Sequence, residues 1–518
     1  MLNKIHPPSK RLLIAIIATL SFYIMTNGYR LSNSMFSGDS LLMLHQNDSA
    51  WQIALGRFVQ PFLVMLRGGI VTPFLISVIS IFWLSLSVYL LTDFIESTNI
   101  LSITLIAAVM VCNSTLLSAN ATFLHNADFY TFALFLSIWG IWLIKKERLI
   151  NTIMGVLSLS ISLGVYQSYI CVAIALVMIH FLFFMLECPT FKATIKKLFK
   201  YGLCFIAAAA AYWITWKIFQ KIFGIWTADT YNGMASLGDY SDVSLLSAIG
   251  SAYNLVFDHF FQPDTFITIP FRGISLSVVW IYILRFCNIA LVILFIFTTI
   301  RLNLKRHTKV WHRLFQVLTI VLFPLGINFV CIMSKGMVHT LMIYAFCLVY
   351  ILTIIFAEYL QTNYPKTGNT KFHFPMTIVC FCIIVVCWSN IVYSNQVYLK
   401  KDLQEKATHS LMTRIVYEIE SFDNYIAGTT PVAFSGSFED TPYIHDIAEF
   451  EELQIYGMEK TSLTYPGTDY AYLKYLLNVN MNLTRISDEN ETVKQMPLYP
   501  APGSVAYVDG ILVIKISD

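Results

Sequence analysis

Eleven long apolar runs constrain this chain more than any other feature of its sequence. A helix needs about 20 apolar residues to cross the roughly 30 Å hydrocarbon core of a bilayer, and the runs reach or approach that length. Hydrophobic residues make up 57% of the 518 residues, and one soluble core could not bury so much apolar surface. The runs lie near residues 12–28, 71–92, 99–117, 129–144, 149–165, 169–186, 201–218, 276–300, 314–333, 338–358 and 374–393. The sequence therefore predicts an all-α polytopic membrane protein with about eleven transmembrane helices.

The distribution of basic residues predicts the orientation of the chain. Lys and Arg cluster in alternate loops, at 145–148, 192–200 and 301–313, whereas the intervening loops hold few. Such clusters stay on the cytoplasmic face, which places the N-terminus in the cytoplasm, with the first run as an uncleaved span. Because these loops account for the basic excess, no nucleic-acid partner is predicted. An odd number of spans then puts the C-terminus on the non-cytoplasmic side.

The lengths of the connections divide the chain into two predicted domains. Residues 1–393 form the transmembrane domain, in which two long outer loops, 29–70 and 219–275, offer room for a site. The first loop has apolar residues at helical spacing, which predicts amphipathic helices in the plane of the interface. Residues 394–518 hold nine Lys/Arg against eighteen Asp/Glu and form a separate polar domain. No cysteine follows Cys387, so this domain contains no disulfide.

The C-terminal domain, residues 394–518, is predicted to be a small α/β domain. A mostly helical stretch follows the last span, and residues 431–438 then have the pattern of a short buried strand. The final segment, 504–518, predicts a β-hairpin with Asp509-Gly510 as its two-residue turn. A domain of about 125 residues is large enough to form a hydrophobic core of its own.

Acidic residues at the outer ends of helices are the candidates for acid–base chemistry, because charges near a membrane are rare unless they have a function. Asp39 follows the first span, where it acts either as a helix N-cap or as a general base whose pKa is raised by partial desolvation. Asp128 begins the fourth span, either as an acid favoured by the helix dipole or as a partner of Asp39. Asp48 is either an exposed loop acid or a substrate-binding residue.

Basic residues near the same face are candidates for binding a phosphate. Arg285 lies nine residues into the eighth span, where a guanidinium must pair, snorkel or line a cavity; its fork of donors fits two phosphate oxygens. Arg57 and Arg67 face the outer interface, and Arg272 precedes the eighth span. Lys335 and His339 share a short outer turn, and Lys335 is otherwise an interfacial anchor.

Polar and aromatic residues beside these charges are candidates for binding a sugar. Tyr166-Gln167 lies at the outer turn between the fifth and sixth spans, where tyrosines also serve as an interfacial belt. His125 stands next to Asp128 at the mouth of the fourth span. The cysteines have no metal-site spacing, which favours packing over redox chemistry.

Taken in order, these residues resemble the type II serotype-converting O-antigen glucosyltransferases of bacteria, integral membrane enzymes related to the GT-C glycosyltransferases. The resemblance covers nearly the whole chain. It rests on short features at matching places in the topology: Asp39, Gly56-Arg57, Asp128, Tyr166-Gln167, and the tail Met496 to Val505 followed by Asp509-Gly510.

The resemblance implies transfer of a glucosyl unit from undecaprenyl-phosphate glucose to the O-antigen of lipopolysaccharide, with inversion, at the periplasmic face of the bacterial inner membrane. We expect Asp39 to be the base, assisted by Asp128. The donor phosphate is expected to bind Arg285, Arg57, Lys335 and His339. The other substrate-binding candidates are Asp48, His125, Tyr166, Gln167 and Arg272. The periplasmic C-terminal domain would shape the acceptor groove.

The same resemblance sets the expected ligands and partners. The lipid-linked donor, undecaprenyl-phosphate glucose, takes the place of a nucleotide. The resemblance identifies no definite cofactor and leaves a divalent metal open. Membrane lipids, and separate membrane proteins that make and flip the donor, are the expected partners. Three alternatives compete with glycosyl transfer: a transporter or flippase of lipid-linked sugars, an O-antigen polymerase or ligase, and a non-catalytic scaffold.

Overall fold

The computed structural model describes residues 8–45, 49–228, 240, 243–262, 277–363, 374–445, 447, 450, 453–487 and 489–518. Helices dominate the transmembrane part. They are α1 Pro8–Ser32, α2 Gly38–His45, α3 Ser49–Ala54, α4 Gln60–Leu66, α5 Pro73–Phe94, α6 Ile100–Val111, α7 Ser114–Ala121, α8 Ala127–Lys145, α9 Leu149–Val165, α10 Ile170–Leu186, α11 Phe191–Phe223, α12 Leu245–Phe261, α13 Ser277–Lys305, α14 Val310–Ile327, α15 Phe329–Met333, α16 Cys347–Asn363 and α17 Phe374–Glu420. The C-terminal domain adds β1 Pro431–Ser435, α18 Thr468–Ala471, β2 Asn482–Leu483, α19 Glu491–Gln495, β3 Val505–Val508 and β4 Ile511–Lys515.

Nine helices within these described ranges are long and apolar enough to cross a membrane. Two further predicted spans have a different form. α6 and α7 bend by 46° at their junction, and α9 has 17 residues. The bend has a local cause, because the Asn113 side chain accepts a hydrogen bond from the backbone N–H of Leu116 and starts a new helix as its N-cap. The predicted fold class, a polytopic all-α membrane protein with a small α/β C-terminal domain, is confirmed.

Helix α8 lies at the centre of the bundle, between α5 and α9. Its closest neighbour is α9, and small residues make that approach possible. A Cβ on Gly155 would lie 2.7 Å from the backbone oxygen of Gly140, so the two backbones touch where neither residue has a side chain.

Charged pairs distinguish the two ends of the bundle. At one end Arg11 pairs with Asp93 at 2.8 Å, and Lys145 pairs with Glu96 at 2.9 Å. We call this the basic end, since Lys197 also lies there, 3.7 Å from Glu147. At the other end α1 finishes and the short helices α2, α3 and α4 follow; we call it the loop end. The predicted loop helices are therefore present.

The C-terminal domain continues directly from the last span, because α17 runs unbroken through residue 393. Its sheet has the strand order β2-β1-β4-β3, in which β1 is parallel to β2 and β4. Strands β3 and β4 are antiparallel and pair Val508 with Ile511 across the turn, as the Asp509-Gly510 pattern predicts. The two-residue strand β2 was not predicted, since two residues carry no readable periodicity.

Aromatic residues of α17 attach the C-terminal domain to the loop end. Tyr393 donates a hydrogen bond to the backbone oxygen of Gln454 at 2.6 Å, and Tyr398 donates to Asn27 Oδ1 of α1 at 2.6 Å. Both rings belong to a buried cluster with residues of α7 and with Leu453. The domain is thus packed against the end of the bundle.

The approach of α8 and α9 gives a first test. In Gly155→Ala the added methyl group overlaps the Gly140 backbone, so we expect a loss of about 1–3 kcal/mol in the free energy of unfolding. Gly202→Ala in α11 is the control, because nothing lies within 4 Å of its added Cβ. It should be neutral or slightly stabilising. Thermal unfolding in detergent measures both, and equal effects would contradict the proposed contact.

Candidate active site at the loop end

Asp39 lies in the first turn of α2, just after the end of α1. Ser37 acts as the N-cap of α2, because its hydroxyl oxygen lies 3.4 Å from the backbone nitrogen of Ser40 and can accept a hydrogen bond from it. The Asp39 carboxylate is therefore not needed as the N-cap. Its side chain is half-buried, and the positive end of the short helix lies beside it.

The surroundings of Asp39 make its carboxylate a proton acceptor near neutral pH. The pKa of Asp39 is raised to about 6, chiefly by burial and to a smaller extent by the carboxylate of Glu459 from the C-terminal domain, while the Arg57 guanidinium opposes the rise. A carboxylate with a pKa close to the working pH suits general base catalysis. The raised pKa is one property expected of a general base, and the catalytic role of Asp39 stays a prediction.

The Gly56-Arg57 pair sits in a tight turn that faces Tyr166-Gln167. Gly56 has a φ of +74°, and a Cβ there would fall on the Tyr212 hydroxyl, so no larger residue fits without strain. Gln167 Nε2 donates to the backbone oxygen of Leu55 at 2.7 Å and lies 3.0 Å from the Tyr212 hydroxyl. The Arg57 guanidinium lies 4.9 Å from the centre of the Tyr166 ring. Two motifs far apart in sequence thus form one unit.

Asp128 has a partner that the sequence did not suggest. Arg67, at the end of the 29–70 loop, donates to Asp128 Oδ1 at 2.6 Å, and both side chains are only 3% exposed. The second Arg67 nitrogen donates to the backbone oxygen of His125 at 2.8 Å. The His125 ring in turn lies 3.2 Å from the Ser40 hydroxyl, one residue from Asp39. Asp128 is therefore tied to the site through Arg67 and His125.

His339 approaches Arg57 from the loop before α16. Its ring stacks on Tyr456 with centroids 3.9 Å apart and an interplanar angle of 5°. Burial, with Arg57 as a second cause, lowers the pKa of His339 to about 3, so the ring is neutral at physiological pH. Lys335, four residues earlier, is half-buried in the turn after α15 and has a φ of +55°.

Arg285 is in α13, which packs against α12, α16 and α17, and its guanidinium carbon is 5.9 Å from the centre of the Tyr282 ring. Within the described ranges, no hydrogen bond, ion pair or ring contact joins Arg285 directly to Asp39. Its role in binding the donor stays a prediction. Asp48 and Arg272 fall outside the described residues.

A segment of the C-terminal domain covers Asp39. This covering segment, residues 456–465, is anchored where the Tyr456 backbone oxygen accepts a hydrogen bond from Thr122 Oγ1 at 2.9 Å. Further along, the Tyr465 hydroxyl donates to Glu459 Oε1 at 3.0 Å. Sequence reasoning missed Arg67 as a partner and Glu459 altogether. Arg67 was visible as an outer-face cation, whereas nothing distinguished Glu459 among the eighteen acids of its domain.

No group of three or more His, Cys, Asp or Glu residues in the described parts of the chain is arranged to hold a metal ion. The charged centre of the loop end consists instead of Asp39, Glu459 and Arg57, with neutral His339 beside them. This arrangement can accept a proton and bind an anion next to each other.

The fold and the site together define a polytopic membrane protein with a cluster of acidic and basic side chains at one end of its helix bundle. The sequence profile of the family described as Glucosyl transferase GtrII matches residues 28–352, more than half of the chain. The chain belongs to this family, which confirms the resemblance seen in the sequence. Comparison with curated proteins and with solved structures gave no match.

Family membership supports a role in glucosyl transfer, with a lipid-linked sugar donor and a glycan acceptor in general terms. The matched residues include Asp39, Arg57, Arg67 and Asp128. The covering segment lies beyond them.

The buried Arg67–Asp128 pair gives a second test. Arg67→Met or Asp128→Asn leaves one charge buried without its partner, so each should cost about 3–5 kcal/mol in the free energy of unfolding. The double variant should lose much less than the sum of the two. A mixed-detergent unfolding titration measures these values.

The exposed pair Lys494–Glu489, at 2.6 Å with side chains 45% and 86% exposed, is the matched control. Lys494→Met should change the free energy of unfolding by only about 0–1 kcal/mol. Strictly additive effects of Arg67→Met and Asp128→Asn would contradict direct coupling of the two charges.

Proposed function

We propose that this protein transfers glucose from undecaprenyl-phosphate glucose to a bacterial surface glycan such as O-antigen, with Asp39 as the general base. The observation that carries this proposal is the position of Asp39 in the first turn of α2, half-buried and beside the Arg57 guanidinium. A proton acceptor and an anion-binding group are what a phosphate-linked sugar donor and a hydroxyl acceptor need.

The proposed reaction is a direct displacement. A hydroxyl of the acceptor attacks the anomeric carbon of the donor while its proton passes to an Asp39 carboxylate oxygen. A bond forms between the acceptor oxygen and the anomeric carbon, and the bond to the phosphate oxygen breaks on the opposite face. The polyprenyl phosphate leaves with the electron pair, and the anomeric configuration is inverted. No covalent intermediate on the protein is required.

The donor phosphate is proposed to bind at Arg57. Its guanidinium can give two parallel hydrogen bonds to phosphate oxygens, and the Tyr166 ring holds its carbon in place at 4.9 Å. His339 contributes as a neutral hydrogen-bonding group, and Lys335 supplies a second positive charge nearby. For Arg285, which is not joined to Asp39, a contact with the donor further along the lipid remains part of the proposal.

The other predicted residues are assigned to positioning and to the acceptor. Asp128 acts through Arg67, which binds the backbone oxygen of His125 and so supports the turn beside Ser40 and Asp39. Gln167 fixes the Gly56-Arg57 turn through the Leu55 carbonyl. Asp48 and Arg272, together with the C-terminal domain, are proposed to contact the acceptor glycan.

The loop end is proposed to face the periplasm, with the N-terminus in the cytoplasm and the bundle in the inner membrane. The support for this orientation is the location of the cationic clusters. Lys145 and Lys197 lie at the basic end with Arg11, away from Asp39, as expected for a cytoplasmic face. The donor would then have to be made and flipped by separate membrane proteins.

Asp39→Asn gives the direct test of the base. Transfer of labelled glucose from polyprenyl-phosphate glucose to a defined O-antigen acceptor should fall about 10²–10⁴-fold, the usual contribution of a general base. Burial raises the pKa of Asp39, so its ionised form destabilises the fold above pH 6, and neutral Asn should keep or raise the melting temperature at pH 7.5. Full activity in Asp39→Asn would remove Asp39 as the base. Donor movement across the bilayer without transfer would favour a flippase.

In the same assay, wild type should lose activity at low pH; we call this part of the pH profile the acid limb. Because only the ionised carboxylate can accept a proton, kcat/KM should be constant above the Asp39 pKa of about 6 and fall about tenfold for each pH unit below it. A profile that stays flat down to pH 4.5 would contradict the assignment.

Arg57→Lys and Arg57→Gln test the phosphate site. Lys keeps the positive charge but lacks the paired N–H groups of Arg, whereas Gln lacks both the charge and the paired N–H groups. We therefore expect kcat/KM for the sugar donor to fall roughly 10-fold in Arg57→Lys and roughly 100-fold in Arg57→Gln. The acid limb of Arg57→Gln should move to higher pH, since Arg57 opposes the rise in the Asp39 pKa. Lys221→Gln, an exposed cation at the end of α11, is the control and should change neither quantity. Unchanged kinetics in Arg57→Gln would place the donor elsewhere.

A further inference from the structure

Glu459 is the one acidic side chain from beyond the family-matched residues that acts electrostatically on Asp39 in the described part of the chain. It belongs to the covering segment and is half-buried. Two carboxylates that face each other away from bulk water repel, and a protein holds them together only with dedicated support. The contacts around Glu459 supply such support.

The support comes through Tyr465. Its hydroxyl donates to Glu459 Oε1 at 3.0 Å, and its ring lies against Gly38, the residue before Asp39. A Cβ on Gly38 would lie 2.9 Å from two carbon atoms of that ring, so a side chain there would displace Tyr465. The start of α2 and the covering segment are therefore fitted to each other one residue before Asp39, through the same Tyr465 that binds Glu459.

We propose that Glu459 is the second carboxylate of the active site, a positioning residue that the C-terminal domain places against Asp39 to strengthen it as a base. This inference rests on the proposed function and deepens it. The site is then complete only when the covering segment is seated on α2.

The physical role follows from the charges. Before the reaction, Asp39 and Glu459 carry two negative charges close together, and the acceptor hydroxyl offers one proton to the pair. When Asp39 takes that proton, the repulsion is relieved, so Glu459 increases the tendency of Asp39 to accept it. The proton later returns to solvent as product leaves.

Four other groups interact with the charges of the pair: Arg57, Lys401, Glu439 and Tyr465. His125 and Asp469 lie on the two elements that pack against α2, the turn before α8 and α18. Arg57 and Lys401 favour the ionised forms, whereas Glu439 adds to the repulsion. A single neutralising change at Glu459 leaves all of these in place.

The test measures the protonation of Asp39 directly. A hydrophobic carbodiimide reacts with protonated carboxyl groups, so labelling of Asp39 in the full-length protein, followed by mass spectrometry between pH 4.5 and 8, reports its titration without any substrate. In Glu459→Gln we expect the midpoint to move from about 6 toward the ordinary aspartate value of 3.8. Tyr465→Phe keeps the charge but frees Glu459 from its hydrogen bond, and should give a smaller shift in the same direction.

The control is Glu491→Gln, which removes an acid of the same domain whose side chain is 83% exposed, and its midpoint should equal that of wild type. Melting temperatures of all variants show whether the fold is retained. An unchanged Asp39 midpoint in folded Glu459→Gln overturns the proposal. So does an equal shift in Glu491→Gln, because the effect would then be one of net charge.

The transfer assay supplies the second readout. In Glu459→Gln the acid limb of kcat/KM should move to lower pH, and a shift of half a unit would raise the ratio of the rates at pH 5 and pH 7.5 about threefold. A purely structural role would lower the rate at every pH and leave the limb in place, which would contradict the proposal. If wild type transfers no glucose from any polyprenyl phosphate, the proposed function fails, and the carbodiimide midpoint still decides the role of Glu459.

Discussion

The buried ion pair between Arg67 and Asp128 is the interaction on which the arrangement of the site depends. The loop from 29 to 70 contains helices of eight, six and seven residues, which are too short to be stable alone. The pair fixes the end of this loop to the start of α8, and the other Arg67 nitrogen binds the turn before it. Removing either charge would leave the other in a medium of low dielectric constant, so the loop has little freedom to dock elsewhere.

The two acids predicted to work together are treated differently by their surroundings. Asp128 is paired at 2.6 Å with a guanidinium that has no other acidic partner in the described residues, so its charge serves to hold the loop. Asp39 instead feels two opposite charges, the Arg57 guanidinium and the Glu459 carboxylate. The two acids can thus have separate roles that are set by their charged neighbours. The short ion pair with Arg67 engages the Asp128 carboxylate, which favours Asp39 as the acid that is free to take a proton.

The sequence was sufficient for features that depend on local patterns. Apolar length predicted the spans, and the Asp509-Gly510 turn predicted the hairpin. Asp39 and Arg57 could be selected as candidates because charged residues near a membrane are rare unless they have a function. Pairing between distant segments was not predictable, because nothing in either segment alone indicates the other. Depth in the membrane identifies Arg285 as an unusual arginine, but the helices packed around α13 decide which groups it meets, and those contacts cannot be read from α13 alone.

The candidate site contains residues from inside the family match and residues from beyond it, and the two groups have different proposed roles. The matched residues hold Asp39, Arg57 and the pair that fixes them, which are the groups proposed to act on the donor and on the transferred proton. The covering segment lies outside the match, yet it reaches both parts of the site, because Tyr465 lies against Gly38 and Tyr456 stacks on His339. Changes in this segment would therefore affect both the proposed base and a proposed donor ligand. The buried contacts of Arg67 and Asp128, by contrast, lie entirely within the bundle and do not depend on the C-terminal domain.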